Sequence, residues 1–160
     1  MSKVAIMGFG NPVRSDDVIG IYVIEKLQEV LKDNSNISLF DMGTGAFEVL
    51  FKLKGHDKII LVDAVVNTKE PIGTIFKVPA EEVLRTPEND PLVFLHSIKW
   101  DQALSYTKKI LKEDYPEDIQ VYLIAIEETK MDINLSTTVK EAGDKVFNHI
   151  MDELKEIAVL

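Results

Sequence analysis

An apolar run that ends in glycines and is followed by an amphipathic helix constrains the fold of this chain more than any other feature. Residues 4–7 are continuously apolar, which is typical of a strand buried on both faces of a parallel sheet. After the glycines, four apolar residues recur at the spacing of one helix face: Ile19, Val23, Leu27 and Val30. The sequence therefore predicts a strand, a loop and a helix that belong to an α/β sheet.

The loop between this strand and this helix carries two adjacent acids. Gly8 and Gly10 allow positive φ and close backbone approach, and Asp16 and Asp17 come where the helix begins. One carboxylate is enough to cap a helix. Either one acid caps and the other is solvated, or one of them faces the crevice in which open α/β sheets bind ligands.

The rest of the chain continues the alternation of strands and helices. We expect further strands at residues 37–40, 58–66, 71–79 and 120–126, and helices at 47–53, 96–110 and 138–156. The most apolar segment, 58–66, is predicted to be central, and 71–79, with proline at each end, to be an antiparallel edge strand. The prediction is one domain, residues 1–160. Its fold class is an α/β three-layer sandwich with a five-stranded, mostly parallel twisted sheet, one antiparallel edge strand and helices on both faces.

Helical spacing also predicts which side chains face the core. In the helix from residue 96, the inward set is His96, Trp100, Ala103, Thr107 and Ile110. In the last helix, the inward set is Val139, Gly143, Val146, Ile150, Leu154 and Ile157. That last helix is expected to begin near Thr138, with Glu141 completing a capping box.

Charge and cysteine content exclude several functions. The formal net charge is −9, from 27 acidic and 18 basic residues, which disfavours nucleic acid or an anionic membrane as the partner. The chain has no cysteine, so disulfides, thiolate metal sites and cysteine nucleophiles are excluded. It begins with a strand instead of a basic and then apolar leader, and no apolar run approaches membrane length. We therefore expect a cytoplasmic protein, acting as a monomer.

Several acids lie where predicted parallel strands or their loops end. Asp17, Asp41 and Asp63 can converge, because the carboxyl ends of parallel strands share one edge of the sheet. His96 lies on the inward face of its predicted helix. Two carboxylates and an imidazole form an oxygen and nitrogen ligand set for a divalent metal ion, although each of these residues taken separately is more often structural.

Common nucleotide and hydrolase motifs are not met. Gly8 and Gly10 follow the first strand as in a dinucleotide-binding fingerprint, but Val13 occupies the third glycine position. Asp16 and Asp17 stand where a pyrophosphate would lie. A phosphate-binding loop, a His-Glu-x-x-His motif and a Gly-x-Ser-x-Gly elbow are all missing from the sequence. A non-catalytic nucleotide- or metal-binding module remains the alternative from another class.

A series of short motifs runs along almost the whole chain. The first loop carries the N-terminal signature Gly8-x-Gly10-Asn11-Pro12-x-x-x-Asp16-Asp17-x-x-Gly20. Further matches follow in order: Asp41-Met42-Gly43-Thr44, Val62-Asp63-Ala64, Pro71-x-Gly73-Thr74, Leu95-His96-Ser97 and Leu135-Ser136-Thr137-Thr138-Val139. Taken together, these motifs resemble those of the hydrogenase maturation endopeptidases, which trim the C-terminus of the large subunit of nickel-iron hydrogenases. One departure is Val18, where the family usually has glycine.

The resemblance implies a function and a set of site residues. The implied metal ligands are Asp17, Asp63 and His96, and the two acids are the implied catalytic residues. The metal is nickel, supplied by the substrate precursor and bound only weakly by the protease alone. The implied partner is the large-subunit precursor of a nickel-iron hydrogenase. An assembly chaperone without proteolysis is a further alternative.

Overall fold

Five strands form one sheet in the computed structural model, which describes residues 3–11, 13–45, 52–85, 101–127 and 134–160. The strands are β1 (Val4–Phe9), β2 (Ile37–Gly43), β3 (Lys58–Val65), β4 (Ile75–Pro79) and β5 (Asp118–Ala125). Their order is β2-β1-β3-β5-β4. Every neighbouring pair is parallel except β4 with β5. The predicted mostly parallel sheet, its central strand and its antiparallel edge strand are confirmed.

Four helices are described beside the sheet. They are α1 (Ile19–Leu31), α2 (Ala80–Arg85), α3 (Asp101–Leu111) and α4 (Thr137–Glu156). Short 3₁₀ turns, Ser15–Val18 and Lys112–Asp114, precede α1 and follow α3. Two predicted segments cannot be compared with the structure. Residues 96–100 of the helix predicted at 96–110 and most of the helix predicted at 47–53 lie outside the described residues.

The helices cover both faces of the sheet. Successive side chains of a strand point to opposite faces, so Ile6 packs with α1 and α4 while Met7 packs with Leu104 of α3. All six residues of β1 are buried, as expected for a strand enclosed on both sides. The three-layer arrangement is therefore confirmed.

Two predicted inward positions are wrong by one residue. Val30 is 57% exposed, and Leu31 takes its place in the core because it continues the spacing of four residues along α1. Ile110 is 62% exposed, whereas Thr107 is buried and Leu111 packs partly against the core. Spacings of three and four residues both belong to a helix face, so the pattern alone does not decide between adjacent apolar residues.

The last helix ends at Glu156 as predicted, but its cap and one predicted inward residue differ from the prediction. Ser136 is its N-cap, and the Ser136 hydroxyl accepts a hydrogen bond from the Val139 N–H at 3.4 Å. Thr138 therefore lies inside the helix, and the capping box with Glu141 is wrong. Ile157 lies just past the last turn and is partly exposed, not inward.

Glycines bring α1 into backbone contact with the sheet. A Cβ atom on Gly20 would lie 2.2 Å from the Phe9 carbonyl oxygen and 2.5 Å from the Val62 carbonyl oxygen. A Cβ atom on Gly8 would lie 2.3 Å from the Gly20 carbonyl oxygen. The start of α1 is thus seated between the carboxyl ends of β1 and β3, which fixes the position of the loop before it.

A polar network joins α4 to the sheet. The Glu153 carboxylate accepts hydrogen bonds from the Tyr122 hydroxyl and from the Lys77 ammonium group, the latter at 2.5 Å, and the Lys58 ammonium group lies 3.6 Å away. Burial by itself raises the pKa of Glu153, but the bonds from Lys77 and Tyr122 and the two lysine charges outweigh it and lower that pKa. The ionised carboxylate therefore stabilises the fold.

This network predicts an acid-sensitive contribution to stability. A lowered folded-state pKa gives stability that is present above the unfolded pKa and is lost as pH falls through the folded value. Glu153→Gln is expected to lower the free energy of unfolding at pH 7 by about 1–3 kcal/mol and to flatten its decline in acid. Urea unfolding at several pH values measures both effects. Glu141→Gln, on the exposed side of α4, is the control, and equal curves for the two variants would contradict the prediction.

Candidate active site

The first three strands of the sheet end together at one edge. Gly8 of β1 is paired with Asp41 of β2 and with Val62 of β3. Asp63 lies one residue beyond this level on β3. Asp41 and Asp63 are therefore at the same edge of the sheet, on either side of β1, as the sequence predicts.

Strand alternation nevertheless separates these two acids. Asp63 follows Val62, which packs on the α1 and α4 face, so Asp63 is on the other face with Leu61. Asp41 lies between two residues of that other face, Phe40 and Met42, so it is on the α1 side. The Asp41 carboxylate is exposed and accepts a hydrogen bond from the Gly43 N–H at 2.9 Å. The expected convergence of Asp41 with Asp63 is wrong.

Asp17 lies over the ends of β1 and β3. It belongs to the 3₁₀ turn Ser15–Val18, and a Cβ atom on Gly10 would be 2.4 Å from the Asp17 carbonyl oxygen. Gly20, two residues after this turn, is seated against Val62 of β3. The turn therefore lies beside the end of β3, where Asp63 follows Val62. Both acids are half-buried, and Asp63 also accepts a hydrogen bond from the Ala64 N–H at 2.8 Å. The structure thus brings Asp17 and Asp63 to one edge.

The third predicted ligand, His96, lies outside the described residues. Within the described part of the chain, no three histidine, cysteine, aspartate or glutamate side chains are placed to hold a metal ion. His56 lies shortly before β3, its ring meets the Phe40 ring edge-on, and among the described residues its buried Nδ1 has no hydrogen-bond partner.

Asp16 has a different role from Asp17. Its carboxylate accepts hydrogen bonds from the Ser136 N–H at 2.7 Å and the Ser136 hydroxyl at 2.8 Å. Neither the 3₁₀ turn nor α1 has a side-chain cap, so capping of its own helix is wrong. The sequence marks Ser136 as part of a matched motif before a helix, and nothing in it indicates a partner so far away.

The matched segment Pro71-x-Gly73-Thr74 is a turn that starts the antiparallel strand. The Thr74 N–H donates to the Pro71 carbonyl at 3.1 Å, and Gly73 has a φ of +89°. Gly73 also donates to the Ala125 carbonyl at 2.8 Å, and a Cβ atom on it would approach Thr138 Cγ2 to 3.0 Å. The glycine is required by both the turn and its packing against α4.

None of the described helices is long and apolar enough to cross a membrane.

Comparisons with known proteins agree along nearly the whole chain. A family model described as HycI, hydrogenase maturation protease, matches residues 21–153. The hydrogenase 2 maturation protease of Escherichia coli is 24% identical over 98% of this chain and 93% of its own length. A putative hydrogenase maturation protease of Methanocaldococcus jannaschii is 32% identical over 96% of this chain and 97% of its own length.

Solved structures share the fold. The hydrogenase maturating endopeptidase HybD from E. coli has a TM-score of 0.79 and 22% identity, covering 98% of this chain and 94% of that one. The nickel-iron hydrogenase maturation protease HycI from Thermococcus kodakarensis has a TM-score of 0.75 and 23% identity, covering 96% of this chain and 93% of that one. The five-stranded α/β architecture is thus shared with these proteases.

Proposed function

Because this chain belongs to the hydrogenase maturation protease family, we propose that it is an endopeptidase that removes a short C-terminal peptide from the large-subunit precursor of a nickel-iron hydrogenase. The observation that carries the proposal is that Asp17 and Asp63, the acids for which the resemblance implies the catalytic role, lie at one edge of the sheet. A cysteine-free chain needs no oxidising compartment, which supports action in the cytoplasm, and we propose that the protein acts there as a monomer.

The proposed substrate is the nickel-loaded form of the precursor. Asp17, Asp63 and His96 offer oxygen and nitrogen ligands to nickel that arrives with the substrate. A set without thiolate holds nickel weakly by itself, and the chain has no cysteine to add. Tight docking then depends on the softer ligands of the precursor, which makes a filled metal centre the condition for recognition.

The two carboxylates also supply the proton chemistry of peptide hydrolysis. Asp17 or Asp63 takes a proton from the water that attacks the scissile carbonyl and returns it to the leaving amine. The substrate's nickel adds Lewis acidity at the carbonyl or the water. Half-burial of both acids keeps them open to the substrate while β1, β3 and α1 hold their backbone in place.

The test is to incubate the protein with a nickel-loaded precursor and to follow the intact mass of the precursor. We expect the loss of one short C-terminal peptide. Stable binding without a change in mass is the outcome for an assembly chaperone. An unrelated nucleotide- or metal-binding module would neither bind nor cleave the precursor. Binding without cleavage and the absence of both would each contradict the proposal.

His96→Ala is expected to lower the cleavage rate at least about a hundredfold, because the site loses its nitrogen ligand. The thermal unfolding midpoint should change little if this side chain serves the substrate's metal. His149→Ala, an exposed position on α4, is the matched control and should cleave at the wild-type rate. Full activity of His96→Ala would remove this residue from the proposed ligand set.

A further inference from the structure

We infer that Asp16 is a positioning residue that fixes the place of Asp17 by holding the first loop to the start of α4. The inference rests on the proposed role of Asp17 in cleavage. The contacts that carry it are hydrogen bonds made by Ser15 and Asp16, so they stand whether or not Asp17 takes part in cleavage.

Asp16 makes a two-point contact with one residue. One carboxylate oxygen accepts from the Ser136 N–H at 2.7 Å and the other from the Ser136 hydroxyl at 2.8 Å, across 120 positions of sequence. A carboxylate that accepts two bonds from one residue is fixed in orientation as well as in distance. Next to it, the Ser15 hydroxyl donates to the Asn134 carbonyl at 2.8 Å. We call these three hydrogen bonds the loop clasp.

The backbone of the first loop needs such a restraint. Ser15 has a φ of +44°, in the left-handed region that side chains other than glycine disfavour. A conformation of this kind persists where the surrounding structure holds it. The loop clasp holds the strained residue, Ser15, to Asn134, and it holds the next residue, Asp16, to Ser136. Without it, we expect the turn to relax.

Relaxation of the turn would displace the proposed catalytic acid. Asp17 directly follows Asp16, and the Asp17 N–H donates to the Arg14 carbonyl at 2.9 Å inside the same turn. Ser136 is itself tied to α4 as its N-cap, and Val139 anchors that first turn in the core. The position of Asp17 over the sheet edge is therefore set by α4 through Asp16.

An isosteric substitution separates positioning from chemistry. In Asp16→Asn, the amide oxygen still accepts from the Ser136 N–H and the amide nitrogen can donate to the Ser136 hydroxyl. Asp16→Ala removes both bonds. At saturating nickel-loaded precursor, we expect Asp16→Ala to cleave at least tenfold more slowly and Asp16→Asn to stay within about threefold of wild type. Equal loss in both variants would show that the negative charge of Asp16 acts directly, and would overturn the inference.

Limited trypsin digestion gives a second readout that does not depend on cleavage of the precursor. Arg14 is exposed, and trypsin cuts after it only when the loop opens. We expect the rate of this cut to rise at least tenfold in Asp16→Ala relative to Asp16→Asn, which carries the same change of charge. Ser136→Ala leaves the trypsin site unaltered and should raise the rate as well.

The two readouts separate failure of the inference from failure of the proposed function. If the wild-type protein cleaves no precursor, the proposed function is wrong, while the trypsin comparison still decides whether Asp16 holds the loop. If trypsin cuts all four proteins at the same rate, the clasp does not restrain the loop and the inference is wrong. Urea midpoints measured in parallel show whether a variant opens by global unfolding: a faster cut in Asp16→Ala at an unchanged midpoint supports the inference, and a faster cut that a lower midpoint fully explains overturns it.

Discussion

Replacing Asp17 with asparagine is expected to lower the rate of precursor cleavage by about a thousandfold while leaving the urea midpoint close to that of the wild type. The substitution removes the proposed anionic ligand and proton acceptor without changing the shape of the side chain. Asp17 is half-buried at the rim of the sheet, outside both clusters of the core. The cleavage rate is measured by intact mass, and stability by urea unfolding of the same preparation.

Asp41→Asn is the matched control for this prediction. Asp41 ends the neighbouring strand at the same edge, but it is exposed on the opposite face and binds only the turn at Gly43 in the described contacts. Its amide variant should cleave within a few-fold of the wild type. Loss of activity in Asp41→Asn together with an active Asp17→Asn would show that the site lies on the α1 side of β2.

Asp63 should behave like Asp17 in activity but not in stability. Asp63→Asn is expected to lose cleavage to a similar extent while its side-chain oxygen still accepts from the Ala64 N–H. Asp63→Ala loses that bond as well, at a cost of about 1–3 kcal/mol in the free energy of unfolding. A comparison of the two variants therefore separates the chemical role of the carboxylate from its structural one.

Gly20→Ala is expected to lower the free energy of unfolding by about 3 kcal/mol or more. Its Cβ atom would lie 2.2 Å from the Phe9 carbonyl oxygen and 2.5 Å from the Val62 carbonyl oxygen. Both neighbours are backbone atoms of buried strands, so neither can move aside as a flexible side chain would. The helix must shift away from the sheet, which also moves the loop that carries Asp17.

Gly55→Ala is the control for this second prediction. A Cβ atom on Gly55 meets nothing within 4 Å, although the residue has a φ of +91°. Its expected cost is about 1–2 kcal/mol, from backbone conformation alone. Wild-type stability and activity in Gly20→Ala would contradict the close packing of α1 on β1 and β3.

The sheet could be predicted because its strands carry strong and separate signals. The apolar run predicted for residues 58–66 is β3, Lys58–Val65, and its burial on both faces follows from its place in the middle of the sheet. The prolines around β4 and the short connection from β3 correctly indicated an antiparallel edge strand. Helix faces were less certain, since Val30 and Ile110 fit the apolar period as well as the residues that are buried instead.

For the site, the short motifs predict which residues are candidates but not how their side chains are arranged. Strand ends indicate which acids share an edge, but a shift of one residue puts a side chain on the other face, and this separates Asp41 from Asp63. The contact of Asp16 with Ser136 depends on two loops that are adjacent only after the sheet has formed. Such a contact leaves no local pattern, so the hydrogen bonds that Asp16 makes could be found only in the structure.

The most direct test of the proposed function is a comparison of nickel-loaded and nickel-free precursor, at equal concentrations and with the same preparation of wild-type protein. Intact mass measures the fraction of each precursor that has lost its C-terminal peptide over time. If the substrate's nickel is what Asp17, Asp63 and His96 recognise, the nickel-loaded precursor is cleaved and the nickel-free precursor stays intact even at high enzyme concentration. Efficient cleavage of the nickel-free precursor would contradict metal-dependent recognition.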